Sequence, residues 1–65
     1  MAVHRLDITE YDKQKNCGPW YVDRKDVVAF RTVENGSKIY ILLRSGDSIL
    51  VDVSKPNMKF LLDNN

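Results

Sequence analysis

The sequence predicts a small, mainly β (α+β) domain: an antiparallel β-meander, or a strongly bent sheet or barrel, of four to five strands with a short C-terminal helix. Three observations carry this. Apolar and polar residues alternate in several runs rich in Val, Ile, Tyr and Phe, the pattern of half-buried strands. Asn35-Gly36 separates two such runs, and this dipeptide favours a tight hairpin because both residues accept positive φ. The last apolar positions, Met58, Leu61 and Leu62 with Phe60 beside them, have helical spacing instead.

The first strand is expected over Ala2–Thr9, with Ala2, His4, Leu6 and Ile8 on one side and Val3, Arg5, Asp7 and Thr9 on the other. Glu10–Gly18 is polar and rich in turn formers, so it reads as an exposed loop. Pro19 fixes its own φ and pushes Gly18 out of the helical region, and the pair reads as a turn. Trp20–Val22 then reads as a short strand, and Asp23–Asp26 as a turn. Val27–Val33 and Lys38–Leu43 are strands joined at Asn35-Gly36. A type I′ turn there pairs Glu34 with Ser37, Thr32 with Ile39, Phe30 with Ile41 and Val28 with Leu43. It leaves Ala29, Arg31, Tyr40 and Leu42 on the opposite face.

Arg44-Ser45-Gly46 reads as a three-residue hairpin loop, with Gly at the left-handed position. Asp47–Val53 follows as a strand. The odd loop length places Ile49, Val51 and Val53 beside Ile41 and Ile39. Ser54 is a candidate N-cap for a helix over Lys55–Asp63, whose first turn tolerates Pro56. The expected core face is Val28, Phe30, Ile39, Ile41, Leu43, Ile49, Val51 and Val53. Tyr40, Leu42 and Leu50 form a second apolar patch on the back. A patch on both faces of so small a sheet needs a cover, either by curling into a barrel or by a second subunit.

The 65 residues suffice for one small domain, residues 1–65. A chain of this size buries only about 60% of its unfolded surface, so its core is marginal. One Cys excludes an internal disulfide, and one Cys with one His offers no four-ligand zinc set. Self-association is the remaining route to added stability, and no cofactor or metal is expected. Ten basic against nine acidic side chains give a net charge of +1, too balanced for a strong nonspecific polyanion binder. No apolar run approaches the roughly 18 residues of a membrane span, and the N-terminal residues lack the apolar core of a signal peptide. With a single unpaired Cys, the expected location is cytoplasmic.

Cys17-Gly18-Pro19 resembles the Cys-Gly-Pro of a thioredoxin active site. That chemistry needs a second Cys where Trp20 stands, and a helix N-terminus to lower the thiol pKa, whereas strand-like residues follow. A Cys17–His4 nucleophile and base lacks a group to orient the imidazole. Asp23 and Asp26 read as turn formers rather than an acid/base pair, and Gly18, Gly36 and Gly46 read as turn glycines rather than a phosphate loop. No catalytic residue is assigned and no enzyme is expected.

The stretch from Tyr21 to Leu62 resembles small β-modules of the LytTR and FlbD type. The matching pieces are Asp26-Val27 entering a strand, Leu43-Arg44-Ser45-Gly46 at a turn, and Val51-Asp52-Val53-Ser54 before a short helix. The resemblance implies the meander-plus-helix architecture and, on the FlbD side, a small regulatory accessory. A second likeness is to Sm-like barrels, which are short, five-stranded and ring-forming, although their helix precedes the strands.

The expected function is a small non-enzymatic interaction or regulatory module. It self-associates and binds an unidentified protein partner, as a phage or mobile-element accessory protein would. The partner-binding candidates are Trp20, Tyr21, Tyr40, Leu42 and Leu50, because Trp and Tyr are typical interface anchors. The alternative is a small β-barrel binding nucleic acid or a nucleotide through Arg24, Lys25, Arg31 and Arg44, with Trp20 and Tyr40 to stack on bases.

Overall fold

The computed structural model describes residues 3–62. Ala2 and Asp63, assigned above to the first strand and the helix, lie outside them. The chain forms β1 (Val3–Tyr11), β2 (Gln14–Asp23), β3 (Val27–Val33), β4 (Lys38–Leu43), β5 (Ser48–Asp52) and α1 (Lys55–Leu62). The five strands make one antiparallel sheet in the order β2-β1-β5-β4-β3. The meander β3-β4-β5 is extended by the β1–β2 hairpin, and the sheet does not close into a barrel.

The Asn35-Gly36 hairpin forms as expected. Asn35 has φ 60° and ψ 30°, Gly36 has φ 85°, and the Ser37 N–H donates to the Glu34 carbonyl at 3.2 Å. This is type I′ geometry, whose twist matches that of the flanking strands. It sets Thr32 opposite Ile39 and Phe30 opposite Ile41. The register then shifts. Val27, not Val28, pairs with Leu43, and Val28 is an extra residue bulged out of the ladder. Val28 is therefore 60% exposed, and Val27 takes its place in the core. In the next hairpin Gly46 takes φ 97° and its N–H donates to the Leu43 carbonyl at 2.9 Å. Ile41 faces Ile49 and Ile39 faces Val51, as the odd loop length requires. Val53, expected inside, falls beyond β5 and is 38% exposed.

Glu10–Gly18 is not a loop. β1 runs on to Tyr11, Asp12 and Lys13 take positive φ (50° and 69°), and β2 returns from Gln14. The expected short strand at Trp20–Val22 is thus the end of a ten-residue strand. Left-handed φ is unfavourable for Lys by about 1–2 kcal/mol, so local sequence gives little warning of this turn. Tertiary contacts hold it: Tyr11 meets Trp20 edge-on at 4.8 Å between ring centroids, and its hydroxyl donates to Asp47 at 3.0 Å. Gly18 and Pro19 lie inside β2, opposite Ile8 and Asp7. Pro19 is tolerated because β2 is an edge strand.

The core lies on the inner face, where Leu6, Ile8, Val22, Val27, Ile39, Ile41, Leu43, Ile49 and Val51 meet Phe60 and Leu61 of α1. Phe30, Trp20 and Met58 pack partly against it. The Ser54 hydroxyl caps α1 by accepting from the Asn57 N–H at 3.2 Å. Arg24 donates to the Leu61 carbonyl at 3.0 Å, a cation at the negative end of the helix. The buried stripe is Phe60 and Leu61, while Leu62, expected to cover the sheet, is 62% exposed. His4 packs as a structural residue. Its ring stacks on Phe60 at 4.8 Å, and its Nε2 lies 2.9 Å from the Asn57 side-chain oxygen.

Candidate interaction surface

Strand alternation places the side chains of Tyr40 and Leu42 on the outer face of β4, and that of Leu50 on the outer face of β5. Leu50 is directly opposite Tyr40, and Tyr40 directly opposite Arg31 of β3. Glu10 of β1 sits on the far side of Leu50. One row across all five strands therefore reads Lys15, Glu10, Leu50, Tyr40, Arg31, with Lys15 ion-paired to Glu10 at 2.5 Å. The neighbouring row reads Ser48, Leu42, Ala29. On the other side lie Asp52, Lys38 and Val33, with Lys38 paired to Asp52. Tyr40 and Leu42 are 40% and 36% exposed, and Ala29 is exposed beside them. The Arg31 guanidinium lies 5.9 Å from the centre of the Tyr40 ring, a cation–π contact that stiffens both side chains.

Three of the five partner-binding candidates, Tyr40, Leu42 and Leu50, thus share one patch. Tyr21 is separate: it is 70% exposed on β2, opposite Arg5 and three strands from β4, roughly 14 Å away. Trp20, expected to be exposed, is half-buried and packed against the core and Tyr11. Ala29, Arg31 and Glu10 belong to the patch through register alone. The signal for Glu10 was hidden by the bulge that shifts β1 against β5 between Ile8 and Glu10.

The basic candidates do not converge. Arg24, Lys25 and Arg44 gather at one end of the sheet, and Arg31 stands apart on the outer face. Arg24 is held by Leu61, and Arg44 donates to the Lys25 carbonyl at 2.6 Å and pairs with Asp26 at 3.5 Å. The nearby groove, of about 450 Å³, is lined by Trp20, Tyr21 and Arg44, but also by Asp23, Asp26 and Asp47. Three carboxylates around one guanidinium repel a phosphate backbone.

Cys17 is half-buried within β2, and its thiol lies 3.4 Å from the Gln14 carbonyl. It stands in a strand, without the helix N-terminus that activates a redox thiol. Among the described residues no group of three His, Cys, Asp or Glu side chains could hold a metal ion, and no helix is long and apolar enough to cross a membrane. No family model, curated protein or solved structure matches the chain.

Tyr11 joins the first hairpin to the β4–β5 turn and gives the fold a pH dependence. The Asp47 carboxylate accepts the hydrogen bond of the Tyr11 hydroxyl, and its charge also disfavours the phenolate, so the Tyr11 pKa is raised above its usual value. A group with a raised folded-state pKa contributes stability that is complete below the unfolded value and lost as pH climbs through the folded one. Lys15, raised by its hydrogen bond to Glu10, acts in the same direction. The thermal midpoint is expected to hold up to about pH 10 and fall above it. Tyr11→Phe should flatten that fall. An unchanged profile between about pH 9 and 11 in the variant would show that Tyr11 is not its source.

Proposed function

We propose that the chain is a non-enzymatic interaction module that docks a protein on the outer face of its sheet. The supporting observation is the Tyr40–Leu42–Leu50 patch on the face opposite the core, in which Tyr40 and Leu42 are exposed and Leu50 is half-buried between them and β1. The core is built from the inner face and α1, so an apolar patch on the opposite face is read as a contact surface for another molecule. Tyr40 suits such a site: it is large, rigid and stacked by Arg31, so little side-chain entropy is lost on docking. Regulation by a small cytoplasmic accessory protein, of the sort phage and mobile elements encode, fits this reading. Less supports nucleic-acid binding, since Arg24 and Arg44 are committed within the chain and the groove beside them is acidic.

The test compares the wild-type chain with a Leu42→Asp, Leu50→Asp double variant as bait in extracts of the native host. Circular dichroism first establishes that both are folded. A protein captured by the wild type, identified by mass, rebinding as a purified component and lost with the double variant, is the expected result. No capture by the wild type, or equal capture by both, overturns the reading.

A further inference from the structure

We infer that the partner enters along the open edge of β3, where an extended peptide segment adds as a further strand and carries an acidic and a large apolar residue two positions apart. The inference rests on the outer face being an interaction surface and goes further by naming the chemistry of what docks there.

The first observation is the backbone of β3. In an antiparallel strand the N–H and C=O of one residue point to the same side, and successive residues alternate. The Leu43 N–H donates to the Asp47 carbonyl on the β5 side at 2.9 Å, and the Arg44 N–H to the Asp26 carbonyl on the β3 side at 2.7 Å. Counting back along β4, Ile39 and Ile41 turn to β5, whereas Tyr40 and Leu42 turn to β3. Their partners Arg31 and Ala29 therefore have their peptide groups engaged. Phe30 and Thr32 turn theirs outward, where β3 has no neighbouring strand and no other backbone segment of the described residues bonds them. The result is a short regular ladder open to an added strand. The Val28 bulge ends it on one side, and the hairpin, with Glu34 at φ 51°, ends it on the other. The opposite edge, β2, offers no such run, because Pro19 lacks the N–H and Asn16 and Gly18 take positive φ.

The second observation is what borders this edge on the outer face. Arg31 makes no ion pair among the described residues, and its guanidinium rests on the Tyr40 ring. In its own row Glu10 is paired with Lys15, beyond Leu50 and Tyr40; in the adjoining row Asp52 is paired with Lys38, which stands between it and β3. Beside Arg31 lies a shallow hollow of about 190 Å³, lined by Ala29, Phe30, Arg31, Tyr40 and Leu42, with Arg31 its one charged group. On an added strand, the residues opposite Arg31 and Ala29 share this face and are two positions apart. An acid at the first meets the unpaired guanidinium. A large apolar side chain at the second fills the hollow over the Ala29 methyl group and reaches Leu42. In an antiparallel strand the acid comes first.

A second copy of this chain does not suit the edge. The two-fold register that uses every free group sets Phe30 against Thr32 of the other copy, and Arg31 then faces Arg31 directly, a destabilising like-charge pair. A shift one way brings in the Val28 bulge, and a shift the other way brings in Glu34.

Panning a displayed library of random heptapeptides against the whole chain tests the inference. The enriched peptides should be rich in β-branched residues, with Asp or Glu two positions before a large apolar residue. Thr32→Pro removes one outward N–H and leaves the ladder to β4 intact, since proline is accepted where an edge N–H faces solvent. It should weaken an enriched peptide by about tenfold, with the circular dichroism spectrum unchanged. Arg31→Glu should weaken it by about fivefold, and a peptide with Lys in place of its acid should recover that loss. No enrichment, wild-type binding by Thr32→Pro, or no recovery with the Lys peptide overturns the inference. So does a wild-type dimer in sedimentation velocity that Thr32→Pro abolishes, which gives the edge to a second copy. A host protein captured through Leu42 and Leu50 and held equally by Thr32→Pro overturns the edge pairing and leaves the outer-face reading standing.

Discussion

Ile41→Ala is expected to destabilise the fold by about 3 kcal/mol. Ile41 is wholly buried, with Phe30 opposite on one side and Ile49 on the other. Truncation removes the transfer free energy of three carbons. It also leaves a cavity that the sheet cannot collapse to fill, because hydrogen bonds hold the backbone on both flanks. A chain of this length has a total stability of about 3–10 kcal/mol. The single substitution therefore removes a large part of the margin, and the variant should be substantially unfolded at physiological temperature. Urea denaturation followed by circular dichroism is the measurement. Val28→Ala is the control: the bulged side chain lies in solvent, and its loss should cost no more than about 0.5 kcal/mol. If the two variants unfold at the same urea concentration, the core does not sit on the inner face.

Phe60→Ala should cost about as much, roughly 3–5 kcal/mol. Eight residues are too few to form an isolated helix in water. α1 persists because Phe60 and Leu61 reach the core, Ser54 caps its start and Arg24 holds its end. Phe60 also stacks on His4, so its removal leaves β1 short of a neighbour. Leu62→Ala, on the exposed side of the same turn, should cost far less. Equal urea midpoints for the two variants would mean that α1 is not part of the cooperative unit.

The β3–β4 hairpin was readable because its turn has a backbone requirement that few sequences meet. Asn35-Gly36 satisfies it, and the register, down to Arg31 beside Tyr40, follows by counting. The count fails at Val28, where a bulge adds a residue without marking itself in the sequence. The β1–β2 hairpin was unreadable for the opposite reason. Its polar residues face solvent, its turn residues Asp12 and Lys13 are not typical of a type I′ turn, and what holds it is Tyr11 touching Trp20 across the hairpin and Asp47, which is distant in the chain. The same split applies to the candidate surface. Tyr40, Leu42 and Leu50 were found by alternation within the meander, but Glu10 joins them only through the β1–β5 pairing, which no local pattern announces.

The outermost strands are both interrupted. β2 carries Pro19, Gly18 at φ 82° and Asn16 at φ 53° in its length, and β3 carries the Val28 bulge. A strand from another molecule approaching β2 meets a missing N–H donor, and on either side it meets a kinked ladder. Lateral growth is disfavoured most at β2, whose whole length is interrupted, and less at β3, whose bulge lies at its start. The outer face can therefore stay apolar while the β2 edge beside it offers a neighbouring strand no regular ladder to extend.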